Sequence, residues 1–316
     1  MEKKAPASTR AYYASLCKFV PEAMRCECGW GVQAFLPSKE YRNFLKDVAA
    51  DPARMEATRA FIEESVNSLL EGTLRPGSKV LVGWTSDRGA YFNFEDSCNV
   101  GVQGEDVLLE RYTSCNVDSP QQALPLLACL TFYMSSIMAE TMRESPSTKS
   151  IYKNIPTFSK GFGGWGLGLR LPEDCAKMLP LIAGDKEFRA DVENKLKELF
   201  KGTLKDSWVK ITWARDGAAF YTRGNACEVM LGSGLDYECF NVDTAEQALA
   251  FYTCLTVYAK QLFCAMAYKT DYPDGPIKEI SSTTLNFDME GKFETERARA
   301  ERLVKCNRRG RQDIET

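Results

Sequence analysis

Histidine is absent from this chain of 316 residues. Ser-His-Asp and Cys-His nucleophile activation are therefore closed to it. So are histidine-containing zinc sites and any imidazole switch near neutral pH. The 12 cysteines include no Cys-x-x-Cys pair, the closest spacing being Cys26-Glu27-Cys28. No Asn-x-Ser/Thr sequon occurs, and Met1–Pro21 lacks the continuous apolar stretch of a signal peptide. The expectation is an intracellular, cytoplasmic protein whose cysteines are mostly reduced and buried.

Charge of one sign is also lacking. Forty Lys and Arg face 43 Asp and Glu, a net charge of −3, so no global field pulls toward nucleic acid or acidic lipid. Long apolar runs are scarce. The longest uncharged stretch, Ser119–Ala139, spans 21 residues but contains Gln121, Gln122, Pro125, Ser135 and Ser136. A buried core helix is expected there, not a transmembrane segment. Nothing in the residue pattern calls for a cofactor or a metal, and no catalytic residue is assigned.

What the chain does have is a repeat. Asn116–Tyr133 and Asn241–Tyr258 agree at 10 of 18 positions, 125 residues apart. The match extends upstream. Trp84 aligns with Trp213, and Gly72-Thr73-Leu74 with Gly202-Thr203-Leu204. Gly29-Trp30-Gly31-Val32 aligns with Gly164-Trp165-Gly166-Leu167. A period this long indicates domain duplication, not a solenoid. The boundaries expected are a tail over 1–7, one copy over 8–142, a linker over 143–146, a second copy over 147–270, and an extension over 271–316 with a charged helix and a basic end.

Each copy reads as β-α-α-β-β-β-α. Strict alternation from Trp30 to Leu36 and from Trp165 to Leu171 predicts strands. A short helix follows with Tyr41, Phe44, Leu45 and Val48 on one side. A longer helix then places Ile62, Val66 and Leu69, or Val192, Leu196 and Leu199, on one face. Asp-Arg-Gly and Asp-Gly turns predict hairpins over Lys79–Phe94 and Trp208–Thr222. A further strand is expected over Val107–Tyr112 and around Leu235–Phe240. Ser119-x-x-Gln122 and Thr244-x-x-Gln247 are capping boxes that open the closing helix. The fold class expected is α+β, a tandem duplication with antiparallel sheets whose copies pack as a pseudo-twofold pair.

Capping accounts for Asp118, Ser119, Asp243 and Thr244, but not for Asn116 and Asn241, for which a turn is the simplest role. Gly161-Phe-Gly-Gly-Trp-Gly-Leu-Gly168 has the glycine density of a nucleotide loop. However, it enters a strand instead of leaving one toward a helix, so a bulge or close backbone approach is the better account. Candidate groove residues, for a ligand or a partner, are Trp30, Trp165, Trp84, Trp213, Asn116, Asn241, Arg215 and Arg223. The basic end is Lys305, Arg308, Arg309 and Arg311. The leading expectation is a non-enzymatic binding or scaffold protein whose partner is another protein. One alternative is an enzyme or small-ligand or anion binder with its site between copies. Another is nucleic-acid binding through the basic end alone.

Overall fold

Two helices start on an aspartate. Asp51 Oδ1 accepts from the amides of Ala53 and Arg54, both at 3.1 Å, and opens α1 (Pro52–Leu69) with Pro52 in the first turn. Asp185 Oδ1 accepts from Glu187 N at 2.8 Å and Phe188 N at 3.1 Å, two amides that no helical carbonyl would otherwise reach. It opens α3 (Lys186–Phe200), which follows the one-turn α2 (Leu179–Gly184). In both long helices the expected apolar face is the buried one: Ile62, Val66 and Leu69 in α1, and Val192, Leu196 and Leu199 in α3.

The computed structural model describes residues 12–14, 16–17, 19–26, 29–37, 50–69, 80–85, 89–94, 98–103, 109–117, 123–124, 126–132, 135, 154–161, 164–201, 209–215, 217–222, 228–232, 235–242 and 244–271. The short helix expected around Tyr41, the glycines expected to end α1 and α3, Arg223, the linker and the extension beyond Asp271 lie outside these residues.

The protein mixes helix and antiparallel strand. Six strands form one sheet: β1 (Glu22–Cys26), β2 (Gly29–Pro37), β3 (Val80–Thr85), β4 (Gly89–Phe94), β5 (Cys98–Gln103) and β6 (Leu109–Val117). Their spatial order is β1-β2-β6-β5-β4-β3. Six more form a second sheet: β7 (Thr157–Gly161), β8 (Gly164–Arg170), β9 (Val209–Ala214), β10 (Gly217–Thr222), β11 (Glu228–Gly232) and β12 (Asp236–Val242). Its order is β7-β8-β12-β11-β10-β9, the same pattern of neighbours. Each sheet has two strands that the residue pattern did not predict: β1 and β5 in one, β7 and β11 in the other. Along β8 the alternation is plain, with Trp165, Leu167 and Leu169 buried and the intervening positions partly or fully exposed.

Residues from both sheets and their helices merge into one core, which runs from Leu16, Val32, Ile62 and Leu127 to Leu167, Val192, Tyr237 and Leu255. At its centre lies α4 (Ala245–Asp271). Every residue from Ala248 to Lys260 is buried, so the helix has no solvent face over that span. Gln247–Thr270 is long and apolar enough to cross a bilayer, yet 94% of that apolar window is covered by the protein's own chain. At its start Thr244 Oγ1 accepts from Gln247 N at 3.2 Å. Only this half of the expected capping box forms. Gln247 Oε1 has no hydrogen-bond partner among the described residues, so it does not reach back to the cap amide.

Candidate functional site

The expected groove residues fall in two kinds of place. In the first sheet, Trp30 of β2 pairs with Val117 of β6 and Val32 pairs with Ser114. Two steps on β2 thus oppose three on β6, so β6 carries one extra residue at Cys115-Asn116. In the second sheet, Trp165 pairs with Val242 and Leu167 with Cys239, again two steps against three, with the extra residue at Phe240-Asn241. Asn116 and Asn241 therefore sit in β-bulges that oppose Gly31 and Gly166. They end strands, whereas a turn before the closing helix was expected. Each bulge unites an unexplained asparagine with the glycine-tryptophan segment of its own sheet.

Trp84 and Trp213 are placed elsewhere. β3 and β9 are the far edges of their sheets, four strands from β2 and β8, or about 19 Å at the usual strand spacing. Trp165 is buried in the core. Trp213 is half-buried, donates its indole Nε1–H to Glu193 Oε1 at 2.6 Å, and lies beneath the Arg189 guanidinium at 5.4 Å. It also borders Phe188 and Tyr258, so it joins β9 to α3 and α4. Arg215 is exposed, just after β9. Strand order thus sets the two tryptophans of each sheet four strands apart. The basic end lies outside the described residues.

Among the described residues, a concentrated polar constellation is one that sequence reasoning missed. Lys260, buried in the middle of α4, forms an ion pair with Glu22 Oε2 at 3.2 Å. Its ammonium also donates to the carbonyl oxygens of Cys17 and of Val20, the latter at 3.2 Å. These three acceptors match the three N–H groups of an ammonium. Residues 12–19 include helical positions, and Val20 N still bonds back to Leu16 O at 3.1 Å. Lys260 thus caps the negative end of that helical segment. One turn along α4, Cys264 is disulfide-bonded to Cys17. The cleft beside Glu22, Lys195 and Gln261 has room for about one water molecule. The sequence did hold a signal for this cluster: Lys260 is a charge inside an apolar helix, at the position where the repeat has Ser135.

A second buried cluster gathers around Cys175. Its sulfur lies 3.2 Å from Met266 Sδ and 3.9 Å from the Tyr13 hydroxyl. Burial pushes the Cys175 thiol up to about 12. Burial, with Asp174 nearby, pushes the Tyr12 hydroxyl to about 12 as well, and burial raises Tyr13 further. Cys129 and Cys254, the repeated mid-helix pair, are buried free thiols whose pKa burial also raises. Such thiols carry their proton at neutral pH, and it is the thiolate that attacks. No group of three or more acidic or cysteine side chains that could hold a metal ion occurs among the described residues.

No protein-family model matches this chain, and no curated protein or solved structure matches it significantly.

Proposed function

We propose that this chain is a duplicated α+β protein that acts as a non-enzymatic binding or scaffold module inside the cell, with another protein as its partner. In this reading two β-α-α-β-β-β-α units, each enlarged by two strands, face each other about a pseudo-twofold axis. Three features support the duplication. The strand order repeats between the sheets. The one-residue bulge recurs at Asn116 and Asn241. Thr131 and Thr256, equivalent positions of the repeated segment, approach at 3.5 Å across 125 residues. A residue that meets its own equivalent lies on the axis of an isologous contact. Each hydroxyl also bonds one turn back, Thr131 to Leu127 O at 2.7 Å and Thr256 to Tyr252 O at 2.8 Å, so the two helices meet with matching local geometry.

The observation that carries the binding reading is where three interior polar side chains point. Lys260, Thr131 and Thr256 bond to the protein's own backbone, and the buried thiols are held protonated. The lysine and the two threonines are thereby committed to holding the chain together. A binding module uses its surface, and the exposed helix faces, with Phe61 on α1 and Leu181 on α2 among them, are where contact would be made.

The test is affinity capture of the full-length tagged protein, followed by mass spectrometry and reconstitution from purified components. The expected result is a stoichiometric protein partner that rebinds when purified. Recovery of the chain alone with a bound small molecule would overturn the reading and favour a ligand-binding or enzymatic protein.

A further inference from the structure

We propose that the Cys17–Cys264 disulfide is a redox-set clasp, present once per chain, and that the Lys260–Glu22 ion pair guards access to it. The bond spans 247 residues and ties the N-terminal helical segment to the middle of α4. Lys260 holds the same segment from one turn earlier on the same helix, through the carbonyls of Cys17 and Val20 and the carboxylate of Glu22. Two fastenings, one covalent and one ionic, therefore act on one helical turn.

The repeat shows that this clasp is a specialisation. With the 125-residue offset, Lys260 and Cys264 correspond to Ser135 and Ala139. With the 135-residue offset of the upstream segment, Cys17 and Glu22 correspond to Tyr152 and Thr157. Both partners of both bonds are thus missing from the other arrangement. Four substitutions that make sense only together point to a built device, not to two incidental contacts.

Access sets the kinetics. Cys17 is 2% exposed and Cys264 is 4% exposed, so a thiol cannot reach either sulfur while the helical segment is seated. Exchange requires that segment to lift, and lifting it breaks the Lys260 bonds first. Closing the clasp takes two electrons and two protons from the two thiols. They go to a glutathione or protein disulfide, which leaves as two thiols while the Cys17–Cys264 bond forms. Opening is the reverse exchange with a dithiol, whose own sulfurs end joined. Cys175 is a poor internal attacker, because its thiol keeps its proton to about 12.

The test uses the full-length protein in two steps. After incubation with oxidised glutathione, free thiols are alkylated in denaturant and the digest is read by mass spectrometry. The expected product is a peptide pair joined through Cys17 and Cys264, with Cys129, Cys175 and Cys254 alkylated. Both clasp cysteines alkylated as free thiols would overturn the proposal. Next, the rate of opening by dithiothreitol under native conditions is compared among wild type, Lys260→Met, Glu22→Gln and Lys260→Arg. Lys260→Met and Glu22→Gln should open about tenfold faster or more, since loss of the ionic fastening raises the population of the lifted segment. Lys260→Arg, which keeps the charge, should stay closer to wild type. Equal rates in all four proteins would refute the guarding role. Should Lys260→Met fail to fold, Glu22→Gln, nearly isosteric with the native residue, still decides the point.

Discussion

The repeated segment forms a helix twice, and the two helices do different work. Residues 123–132 and α4 share Cys129 and Cys254, Thr131 and Thr256, and an apolar interior face. Where they meet, at the two threonines, they behave alike. One turn further they diverge. Among the described residues Ser135 bonds within its own helix, to Phe132 O at 2.9 Å, whereas Lys260 reaches across to a segment about 240 residues away in sequence. The same helical pattern thus serves as packing in one case and as packing plus anchorage in the other. Apolar periodicity sets where a helix lies, and a single polar substitution within it decides what the helix holds.

This contrast can be broken or sharpened by paired substitutions. The largest losses should come from the shared apolar face. Phe251→Ala should cost ~3–5 kcal/mol and its counterpart Leu126→Ala ~2–5 kcal/mol in urea unfolding, since both leave cavities in one core. If only Phe251→Ala destabilises, the two helices do not share that core equally. Lys260→Ala should cost ~3–5 kcal/mol, because it leaves the Glu22 carboxylate buried without its partner. Ser135→Ala should stay within about 1 kcal/mol, which makes the anchorage visible as a difference between equivalent positions. Thr131→Val and Thr256→Val should each cost about 1 kcal/mol, and the double variant should depart from their sum by about 0.5 kcal/mol if the side chains touch. A strictly additive pair would remove the contact on the axis. Thr244→Ala should cost about 1 kcal/mol through the lost cap bond, with Gln247→Ala near neutral, because only the hydroxyl half of the box forms.

A last measurement separates the thiols by pH. The unfolded Cys175 thiol ionises near its ordinary value of 9.0, and the folded one near 12. Between these values the folded state holds more protons than the unfolded state. The contribution is complete below about 9 and is lost as pH rises toward about 12. Unfolding midpoints taken from pH 8 to 11 should therefore fall, and Cys175→Ala should flatten that fall. An unchanged slope would mean that Cys175 is more open than its surroundings indicate.

The helices and hairpins were legible because their signals are local. Ile62, Val66 and Leu69 declare a face by spacing alone. Asp-Gly beside β10 declares a turn. β1 and β7 escaped notice because Glu22, Arg25 and Lys160 interrupt any apolar alternation, and an edge strand is defined by its neighbour. The bulges were illegible for a stricter reason. One extra residue is visible only against the partner strand, so Asn116 and Asn241 looked like turn residues. The disulfide and the Lys260 bonds depend on chain segments far apart in sequence, and nothing in either segment names the other. Trp213 stood out as a groove candidate by residue type, but its indole is engaged by Glu193 and Arg189.

The bulge in β12 also acts as a phase shifter between sheet and helix. Side chains of a regular strand alternate sides at each residue, and the extra residue resets that alternation just before α4 begins. Tyr237, upstream, and Val242, downstream, can then each align with their partners on β8, Leu169 and Trp165. Without the extra residue, either Val242 would fall out of step with Trp165 or the chain would enter α4 one residue early, turned by about 100°. A turn of that size would swing Lys260 and Cys264 away from residues 17–22. The rotational setting of the clasp is thus fixed some twenty residues upstream, in the backbone of β12.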